Sequence, residues 1–433
     1  MEKVSEEERD KPPSRGGAAV LEVASEPLTE RTGWDSWQWQ LAHAVRKAED
    51  LRKYLNLSPE EEAILRSVES VYPIMATPYY LSLIDPYDPN DPVRKQVIPS
   101  PEELGQHGCE DPLDEEADSP VPGLTHRYPD RVLVVVTNFC PVWCRHCTRK
   151  RLWKRHACTR SARAPDKAYT LRNLPAMLDY IRAHSEIRDV ILSGGDPLTL
   201  PTVTLDRILS QLRAIPHVEI IRIGSRVPVT LPQRLWDDQL LSVLDRHGPV
   251  WVNTHFNHPK EITPEAARAV DCLLRAGVPV NNQSVLLAGV NDDVRVMREL
   301  VTRLLRIKVR PYYLYHCDPV QGAMHFRTSL EKGLEIMEGL RGHVSGLAVP
   351  TYVVDAPGGA GKIPVMPNYM VSWAEDGVVL RNYEGVLVKY NPKGNGVSSK
   401  SKPGSVSELL SAGGALVPEA NPRMGRRKGR QAH

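Results

Sequence analysis

The sequence predicts an α/β protein built as a partial or full β/α barrel. Between residues 131 and 355, short runs of β-branched residues alternate with stretches of helical periodicity. Such alternation is typical of parallel strands joined by right-handed crossovers. The predicted strands are 132–137, 189–193, 219–224, 250–254, 278–287, 309–315 and 349–355, and the predicted helices are 172–184, 204–214, 233–247, 263–276, 292–306 and 329–341.

Composition divides the chain into five parts. The two ends are rich in charge or in Gly, Ser and Lys, which predicts disorder. A helical pattern begins at Gly33, and Ser58-Pro59-Glu60-Glu61 is typical of a capped helix start. The predicted parts are a disordered tail (1–31), a helical and wrapping region (32–125), the barrel core (126–355), a glycine-rich loop with the C-terminal region (356–392) and a disordered basic tail (393–433).

The overall charge and cysteine content exclude several classes of protein. Formal net charge is only +2 over 433 residues, which argues against nucleic-acid binding by bulk electrostatics, and the basic run 426–430 is interpreted as a solvated tail. The N-terminus lacks the apolar segment of a secretory signal, and no stretch approaches the roughly 20 apolar residues of a membrane helix. Three of the seven cysteines lie within eight residues, which favours reduced, ligating thiols and a cytoplasmic location.

Cys140, Cys144 and Cys147 follow directly after the first predicted barrel strand. Cubane iron–sulfur clusters are normally held by four thiolates, so three would leave one iron open to a ligand. A structural zinc site is the alternative, with His146, His156 or Cys158 as the fourth ligand. The spacing alone does not separate these two readings.

The spacing C-x3-C-x2-C after a first barrel strand is similar to that of radical S-adenosylmethionine enzymes. From about Gly33 to Tyr390 the chain resembles the lysine 2,3-aminomutase family of these enzymes. This resemblance implies a radical S-adenosylmethionine partial (β/α) barrel with an N-terminal helical extension and a short C-terminal segment. Each matching segment lies where a predicted strand ends, which is where β/α barrels build active sites. The segments are YPDR (128–131), CRHCTR (144–149), SGGD (193–196), IGSR (223–226), NTHFNHP (253–259) and DAPGGAGK (355–362).

The resemblance implies a [4Fe–4S] cluster and S-adenosylmethionine as cofactors. The cysteines would bind the cluster through three of its irons. The loop after the second predicted strand would contact the methionyl amino group of S-adenosylmethionine, and three further residues would line the remainder of its pocket. These residues are Ser193, Gly194, Gly195 and Asp196 in the loop, with Ser225, His255 and Gln283 around it.

Lys362 is the candidate for a covalent bond to pyridoxal 5′-phosphate. Its glycine-rich surroundings are not a phosphate-binding P-loop, because Ala356 and Ile363 stand where that motif needs Gly and Ser or Thr. A lysine on a flexible glycine loop can form and release such a bond reversibly. By the resemblance, Arg127, Tyr128 and Arg131 would contact this cofactor.

The same resemblance implies that Asp318 and Asp355 hold the side-chain ammonium of a free basic amino acid, while Arg149 holds its α-carboxylate. A neutral or acidic side chain would leave the two acids unpaired, but a guanidinium would fit as well as an ammonium. The reaction would also need an external one-electron donor. No zinc is predicted, because residues 391–433 contain no cysteine and Val270 stands where the further ligand would align; a homo-oligomer is still expected.

The sequence therefore predicts an isomerase that interconverts L-lysine and L-β-lysine by radical migration of the amino group. Arginine is the alternative substrate. A second alternative is modification of a lysine on a translation factor, against which the carboxylate-binding Arg149 argues. A third is a non-catalytic module that binds zinc and nucleic acid through the cysteines and the basic tail.

Overall fold

The protein is described by a computed structural model that covers residues 33–157, 171–374 and 377–390. The two predicted disordered tails lie outside the described residues, as does Cys158. Within the described ranges, no helix combines the length and the apolar composition needed to cross a bilayer.

The region before the barrel consists of short helices that pack on the main core. Ser58 caps the second of them: its hydroxyl accepts from the Glu61 amide, and the Glu61 carboxylate accepts from the Ser58 amide, as the sequence predicts. Tyr80 and Leu81 are fully buried in the same core as the barrel strands. The helices are α1 (Trp37–Ala42), α2 (Pro59–Glu69), α3 (Pro78–Leu81) and α4 (Pro92–Val97), with 3-10 turns at Ala48–Lys53 and Pro101–Leu104.

The central sheet has nine strands in chain order: β1 (Leu124–Tyr128), β2 (Arg131–Thr137), β3 (Asp189–Gly194), β4 (Ile220–Gly224), β5 (Val250–Thr254), β6 (Val280–Leu286), β7 (Arg310–His316), β8 (Thr351–Ala356) and β9 (Gly361–Pro364). Strands β2 to β8 pair in parallel. Strands β1 and β9 are added antiparallel at the two edges. The α/β class and the seven predicted barrel strands are thus confirmed.

Amphipathic helices connect the parallel strands and cover them. Their apolar faces are buried, as in α11, where Met297, Leu300, Val301 and Leu304 repeat with helical spacing. The predicted helix 233–247 is divided by Asp237, whose carboxylate caps the second part. The helices are α5 (Lys150–Ala157), α6 (Leu174–Ala183), α7 (Thr202–Arg213), α8 (Val227–Thr230), α9 (Asp238–Arg246), α10 (Pro264–Arg275), α11 (Val294–Arg306) and α12 (Leu330–Leu340).

After the barrel, the chain turns back and forms a second, smaller sheet. Gly358 and Gly359 have φ of +65° and +70°, which lets the chain reverse after β8. Lys362 then lies in β9, directly opposite Asp355 in β8. The expectation of a lysine on a flexible loop is wrong, because cross-strand pairing fixes this backbone. The second sheet is antiparallel and contains β10 (Met370–Ala374), β11 (Gly377–Arg381) and β12 (Leu387–Tyr390).

Candidate active site

Most of the residues singled out in the sequence gather at the carboxyl ends of the parallel strands. The segment 128–131 is the exception to the expectation, because Tyr128 ends the antiparallel strand β1 and Arg131 is the first residue of β2. The cysteine loop follows β2, and the loop 193–196 overlaps the end of β3. Ser225 and His255 directly follow β4 and β5, and Asp318 comes two residues after β7. Because neighbouring strands are parallel, these ends share one edge of the sheet, which is the face that carries function in β/α barrels.

The three motif cysteines are free thiols, half-buried in one loop. Burial, Asp196 and the two neighbouring cysteines raise the pKa of Cys140 well above its ordinary value. Arg226 opposes this effect, and its Nη1 donates to the Cys144 sulfur at 2.8 Å. In the described parts of the chain, no group of three or more His, Cys, Asp or Glu side chains has the geometry to hold a single metal ion.

Gly194 and Gly195 are required by the packing of the cysteine loop. A Cβ atom on Gly194 would come within 2.2 Å of the Thr137 carbonyl oxygen, and one on Gly195 within 2.4 Å of the Phe139 carbonyl oxygen. The Gly195 amide donates to the Thr137 carbonyl at 2.5 Å. These glycines therefore allow the end of β3 to lie directly against the chain that carries the cysteines.

Asp196 joins the loops after β3 and β4. Its carboxylate accepts from the Ser225 hydroxyl at 2.7 Å and from the backbone amides of Arg226, Val227 and Leu198 at 2.7 to 3.1 Å. Burial nevertheless raises the pKa of Asp196 to about 6. The Asp196 carboxylate thus holds Ser225 and the loop after β4 against the loop after β3.

His255 directly follows β5 and lies beside Gln283, which is in the middle of β6. Burial and the positive charge of Arg226 lower the pKa of His255 to about 4, while a backbone hydrogen bond at Gln283 opposes this shift. The imidazole is therefore neutral at pH 7, and it can donate and accept hydrogen bonds without carrying charge.

Lys362 is held on the wall of the site by its cross-strand partner. Its Nζ donates to Asp355 Oδ1 at 3.0 Å and lies 5.3 Å from the centroid of the Tyr315 ring. Its backbone amide donates to the Tyr128 hydroxyl at 2.9 Å. The structure thereby brings Lys362, Asp355 and Tyr128 together.

The two arginines beside Tyr128 differ in their surroundings. Arg131 stacks on the Tyr128 ring at 4.7 Å, and its Nε donates to Asp130. Arg127 instead donates to Asp118 at 2.6 Å and to the Leu113 carbonyl, so its guanidinium is already occupied within the protein.

Asp318 shares an electrostatic environment with Asp355 and Lys362. It accepts from the Thr148 hydroxyl at 2.7 Å. Burial raises the pKa of Asp318 to about 6, the hydrogen bond from Thr148 lowers it, and the charge of Asp355 raises it further. Lys362 and Arg149 act in the opposite direction, so two acids and two cations share one electrostatic environment.

Arg149 is gripped by a carboxylate that sequence reasoning missed. Its Nε donates to both oxygens of Glu115, at 3.1 and 2.9 Å, and its Nη2 donates to Glu115 Oε1 at 2.5 Å. Its Nη1 faces the Ser193 hydroxyl at 3.3 Å. Arg151 also donates to Glu115, and these arginines lower the pKa of Glu115 to about 2. One edge of the Arg149 fork thus anchors the residue, and the other faces the loop after β3.

Two other residues of the site were not singled out in the sequence. Glu115 lies in an irregular acidic stretch that has no periodicity, so the sequence carried no signal for it. Tyr315 could have been found, because it lies near the end of β7, the strand that precedes Asp318. Burial and the nearby Asp355 raise the pKa of Tyr315 well above its ordinary value, so its phenol stays protonated.

The three cysteines are a donor set that an iron–sulfur cluster can use, and the described residues complete no zinc site around them. The Nε2 of His146 lies 3.3 Å from the Asn257 amide nitrogen, and its ring packs edge-on against Phe326. The alternative zinc ligands at positions 156 and 158 lie outside the side chains that the structure describes. Burial raises the pKa values of the Cys140 and Cys147 thiols, and a bound cationic centre would stabilise such thiols as thiolates.

Comparisons with known proteins agree with this geometry. Family models described as "Radical SAM superfamily" and "Lysine-2,3-aminomutase" match residues 134–301 and 337–433. The L-lysine 2,3-aminomutase of Clostridium subterminale is 55% identical over 361 residues, which covers 83% of this chain and 84% of that protein. A putative L-lysine 2,3-aminomutase of Aquifex aeolicus is 52% identical, covering 82% of this chain and 95% of that protein.

A relative named for a different substrate is less similar. The glutamate 2,3-aminomutase of Clostridioides difficile is 44% identical over 357 residues, covering 82% of each chain. A solved radical SAM methyltransferase from Sphaerobacter thermophilus aligns with 53% of this chain and 68% of its own, at 19% identity and a TM-score of 0.38, too low to add to the argument. On the identity and coverage of its sequence relatives, the chain belongs to the lysine 2,3-aminomutase family of the radical SAM superfamily.

Proposed function

We propose that this chain interconverts L-lysine and L-β-lysine by moving the α-amino group to the neighbouring carbon. The observation that carries the proposal is the common electrostatic environment of Asp318, Asp355, Lys362 and Arg149. Two carboxylates that can pair with a cation and a guanidinium that can pair with a carboxylate suit a free amino acid with a cationic side chain.

Three cofactors suit the residues of the site. Cys140, Cys144 and Cys147 would hold a [4Fe–4S] cluster, with S-adenosylmethionine against the loop 193–196, Ser225, His255 and Gln283. Lys362 would hold pyridoxal 5′-phosphate, with Arg127, Tyr128 and Arg131 around it. When bound, the cluster and S-adenosylmethionine supply the radical chemistry that removes an unactivated hydrogen, and pyridoxal phosphate supplies the π system over which nitrogen moves.

Radical chemistry is needed because the reacting carbon is not acidic. No general base that works near pH 7 removes a hydrogen from Cβ, since no neighbouring group stabilises the carbanion. The residues of this chain therefore bind, orient and exclude water rather than act as strong bases. The reducing equivalent would come from an external one-electron donor.

Asp355 would serve two cations in turn. In the free protein its Oδ1 accepts from the Lys362 ammonium. Once Lys362 turns toward a bound cofactor, this buried carboxylate needs another cation, because an unpaired buried charge is costly. The side-chain ammonium of the substrate meets that need together with Asp318. Binding of the cofactor and choice of substrate are thus coupled through one carboxylate.

Glu115 would fix the direction in which Arg149 receives the substrate carboxylate. The Nε and Nη2 edge of the Arg149 guanidinium is taken by Glu115, so Nη1 is the donor that faces Ser193 at the end of β3. This arrangement favours a free α-carboxylate over a lysine within a protein chain, which has no such group. It therefore argues against a translation factor as the substrate.

Arginine is retained as the second candidate substrate, since its guanidinium could pair with Asp318 and Asp355. The test is an anaerobic assay of the reconstituted protein with L-lysine, L-arginine and L-glutamate in parallel, scored by mass spectrometry for β-amino products. We expect β-lysine to form fastest and no product from glutamate. A faster yield of β-arginine would reassign the substrate, and turnover of glutamate would contradict the roles of both aspartates.

We also propose that the protein works in the cytoplasm. Reduced thiols and an oxygen-sensitive cluster suit the cytoplasm. A homo-oligomer without the family's zinc site remains a prediction, to be checked by light scattering and by metal analysis of the purified protein.

A further inference from the structure

A buried arginine connects the cysteine loop to the rest of the protein. Arg226 follows β4 directly and is 8% exposed. Its Nη1 donates to the Cys144 sulfur at 2.8 Å, its Nη2 donates to Glu261 at 2.6 Å, and its Nε donates to the His255 carbonyl at 3.0 Å. All three nitrogens of this guanidinium are thus engaged, each by a different part of the site.

The arginine is held rigidly by groups from the N-terminal region. Its Nη2 also donates to the Gln96 side chain at 2.6 Å and to the Tyr80 hydroxyl at 2.9 Å. Tyr80, Gln96 and Glu261 are each completely buried. The Tyr80 hydroxyl in turn donates to Glu261 at 2.7 Å. These contacts fix the position of the Arg226 guanidinium, so its Nη1 stays beside the Cys144 sulfur.

The charge of Arg226 is balanced by a carboxylate, and its Nη1 remains directed at the Cys144 sulfur, which would be a thiolate when it binds a cluster. Glu261 neutralises the guanidinium, and two neutral side chains complete the contacts of Nη2. In a buried setting a charge-assisted hydrogen bond to sulfur withdraws electron density from the metal centre that the sulfur ligates. Hydrogen bonds to cluster sulfurs are among the factors that set the reduction potential of iron–sulfur clusters. The reduced cluster carries one more negative charge, so it gains more from such a donor.

We propose that Arg226 is a positioning residue that raises the reduction potential of the cluster bound by Cys144. This inference rests on the proposed function, since it requires a cluster at the three cysteines. Its consequence is functional: without Arg226, the same external donor would reduce the cluster less completely, and turnover would start less often.

The test removes both buried charges together. Replacing Arg226 alone would leave Glu261 unpaired, which is expected to destabilise the protein for reasons unrelated to the cluster. The double variant Arg226→Gln with Glu261→Gln avoids this. Arg226→Lys is the second variant: it keeps a charge for Glu261, but one ammonium cannot reproduce the planar fork that also reaches Cys144.

A matched control removes another buried arginine pair. Arg234 is completely buried and donates to Asp237, to the Thr202 hydroxyl and to two backbone carbonyl groups. The double variant Arg234→Gln with Asp237→Asn disturbs a comparable network and retains a capping side chain for α9.

Each protein is reconstituted anaerobically, iron per chain is measured, and the midpoint potential is determined by a redox titration followed by electron paramagnetic resonance. We expect the Arg226→Gln/Glu261→Gln variant to be about tenfold harder to reduce, a shift of about 59 mV to lower potential. Arg226→Lys should shift in the same direction by less, and the Arg234 control should keep the potential of the unmodified protein.

The possible failures can be told apart. If the unmodified protein assembles no four-iron cluster, the proposed function fails. If the double variant holds a full cluster at an unchanged potential, the inference about Arg226 is overturned and the proposed function stands. If the double variant assembles no cluster, the potential of Arg226→Lys decides: a lower value supports the inference, and an unchanged value overturns it.

Discussion

Lys362 gives the most direct prediction for a single side chain. Replacing Lys362 by Ala should abolish the covalent adduct that borohydride traps with pyridoxal phosphate, because Lys362 supplies the amine that lies beside Asp355. Peptide mapping of the reduced protein is the measurement. Lys332→Ala, which changes an exposed lysine paired with Glu335, should leave the adduct unchanged. An adduct that persists in Lys362→Ala at full yield would exclude Lys362.

Asp318 gives a prediction on pH. Its raised pKa of about 6 means that it is largely protonated at pH 5 and ionised at pH 7. Only the ionised form pairs with an ammonium, so the affinity for L-lysine should rise as pH increases through about 6. Titration calorimetry of the cofactor-loaded protein between pH 5 and 8 measures this.

The matched variant is Asp318→Asn, which keeps the shape but cannot ionise. It should lose the rise near pH 6 and weaken binding at pH 7.5 by about 1.5–3 kcal/mol, roughly 10- to 150-fold. An equally steep pH dependence in this variant would assign the titration to another group.

Individual residues also show the limits of sequence reasoning. Lys362, Asp355 and Tyr128 lie in segments that resemble motifs of the family, and the structure brings them together. Glu115 could not be found this way, because its partner Arg149 is 34 positions away in the chain and joins it only in the folded state. Ion pairs between an irregular segment and a motif leave no local pattern to read.

The end of β3 and the residue that follows it, Gly195, pack directly against the backbone of the cysteine loop. Gly195→Ala would bring a methyl group to 2.4 and 2.6 Å from backbone atoms of Phe139, and backbone cannot move aside as a flexible side chain can. We expect a loss of about 1–3 kcal/mol in the free energy of unfolding and a lower iron content after reconstitution. Urea unfolding and iron analysis measure the two effects.

The control for this prediction is Gly346→Ala, where a Cβ atom meets nothing within 4 Å. It should keep both stability and iron content. Equal behaviour of the two variants would mean that the close approach of β3 to the loop is not needed for cluster binding.

Regular elements were the more predictable part of the fold. Alternating burial in β6 and the apolar stripe of α11 are strong local signals, and their positions agree with the predicted ones within a few residues. Strand β9 was missed because four residues after a glycine turn have no periodicity of their own. Its existence depends on pairing with β8.

At the scale of the whole molecule, ion pairs join the irregular segment before the barrel to the barrel itself. Glu115 joins this segment to Arg149 and Arg151 in the barrel. Its pKa is lowered to about 2, so its stabilisation is present above pH 4.5 and is lost as pH falls from about 4.5 toward 2. Glu115→Gln should therefore lower the free energy of unfolding by about 3 kcal/mol at pH 7.

At pH 3 the difference between the variant and the unmodified protein should fall to about half of its value at pH 7, because Glu115 is then protonated in the unfolded chain but still largely ionised in the folded one. Urea unfolding at pH 7 and pH 3 provides the comparison. An equal difference at both pH values would indicate that packing, rather than charge, accounts for the loss.

The central claim is that the protein moves an amino group within one amino acid molecule. The most direct test incubates the reconstituted protein anaerobically with a mixture of unlabelled L-lysine and L-lysine carrying both ¹³C throughout and ¹⁵N at the α-amino group. We predict that mass spectrometry finds β-lysine only as fully labelled or fully unlabelled molecules. β-Lysine with exchanged nitrogen, or no β-lysine under conditions in which the cluster is intact and reduced, would contradict the account.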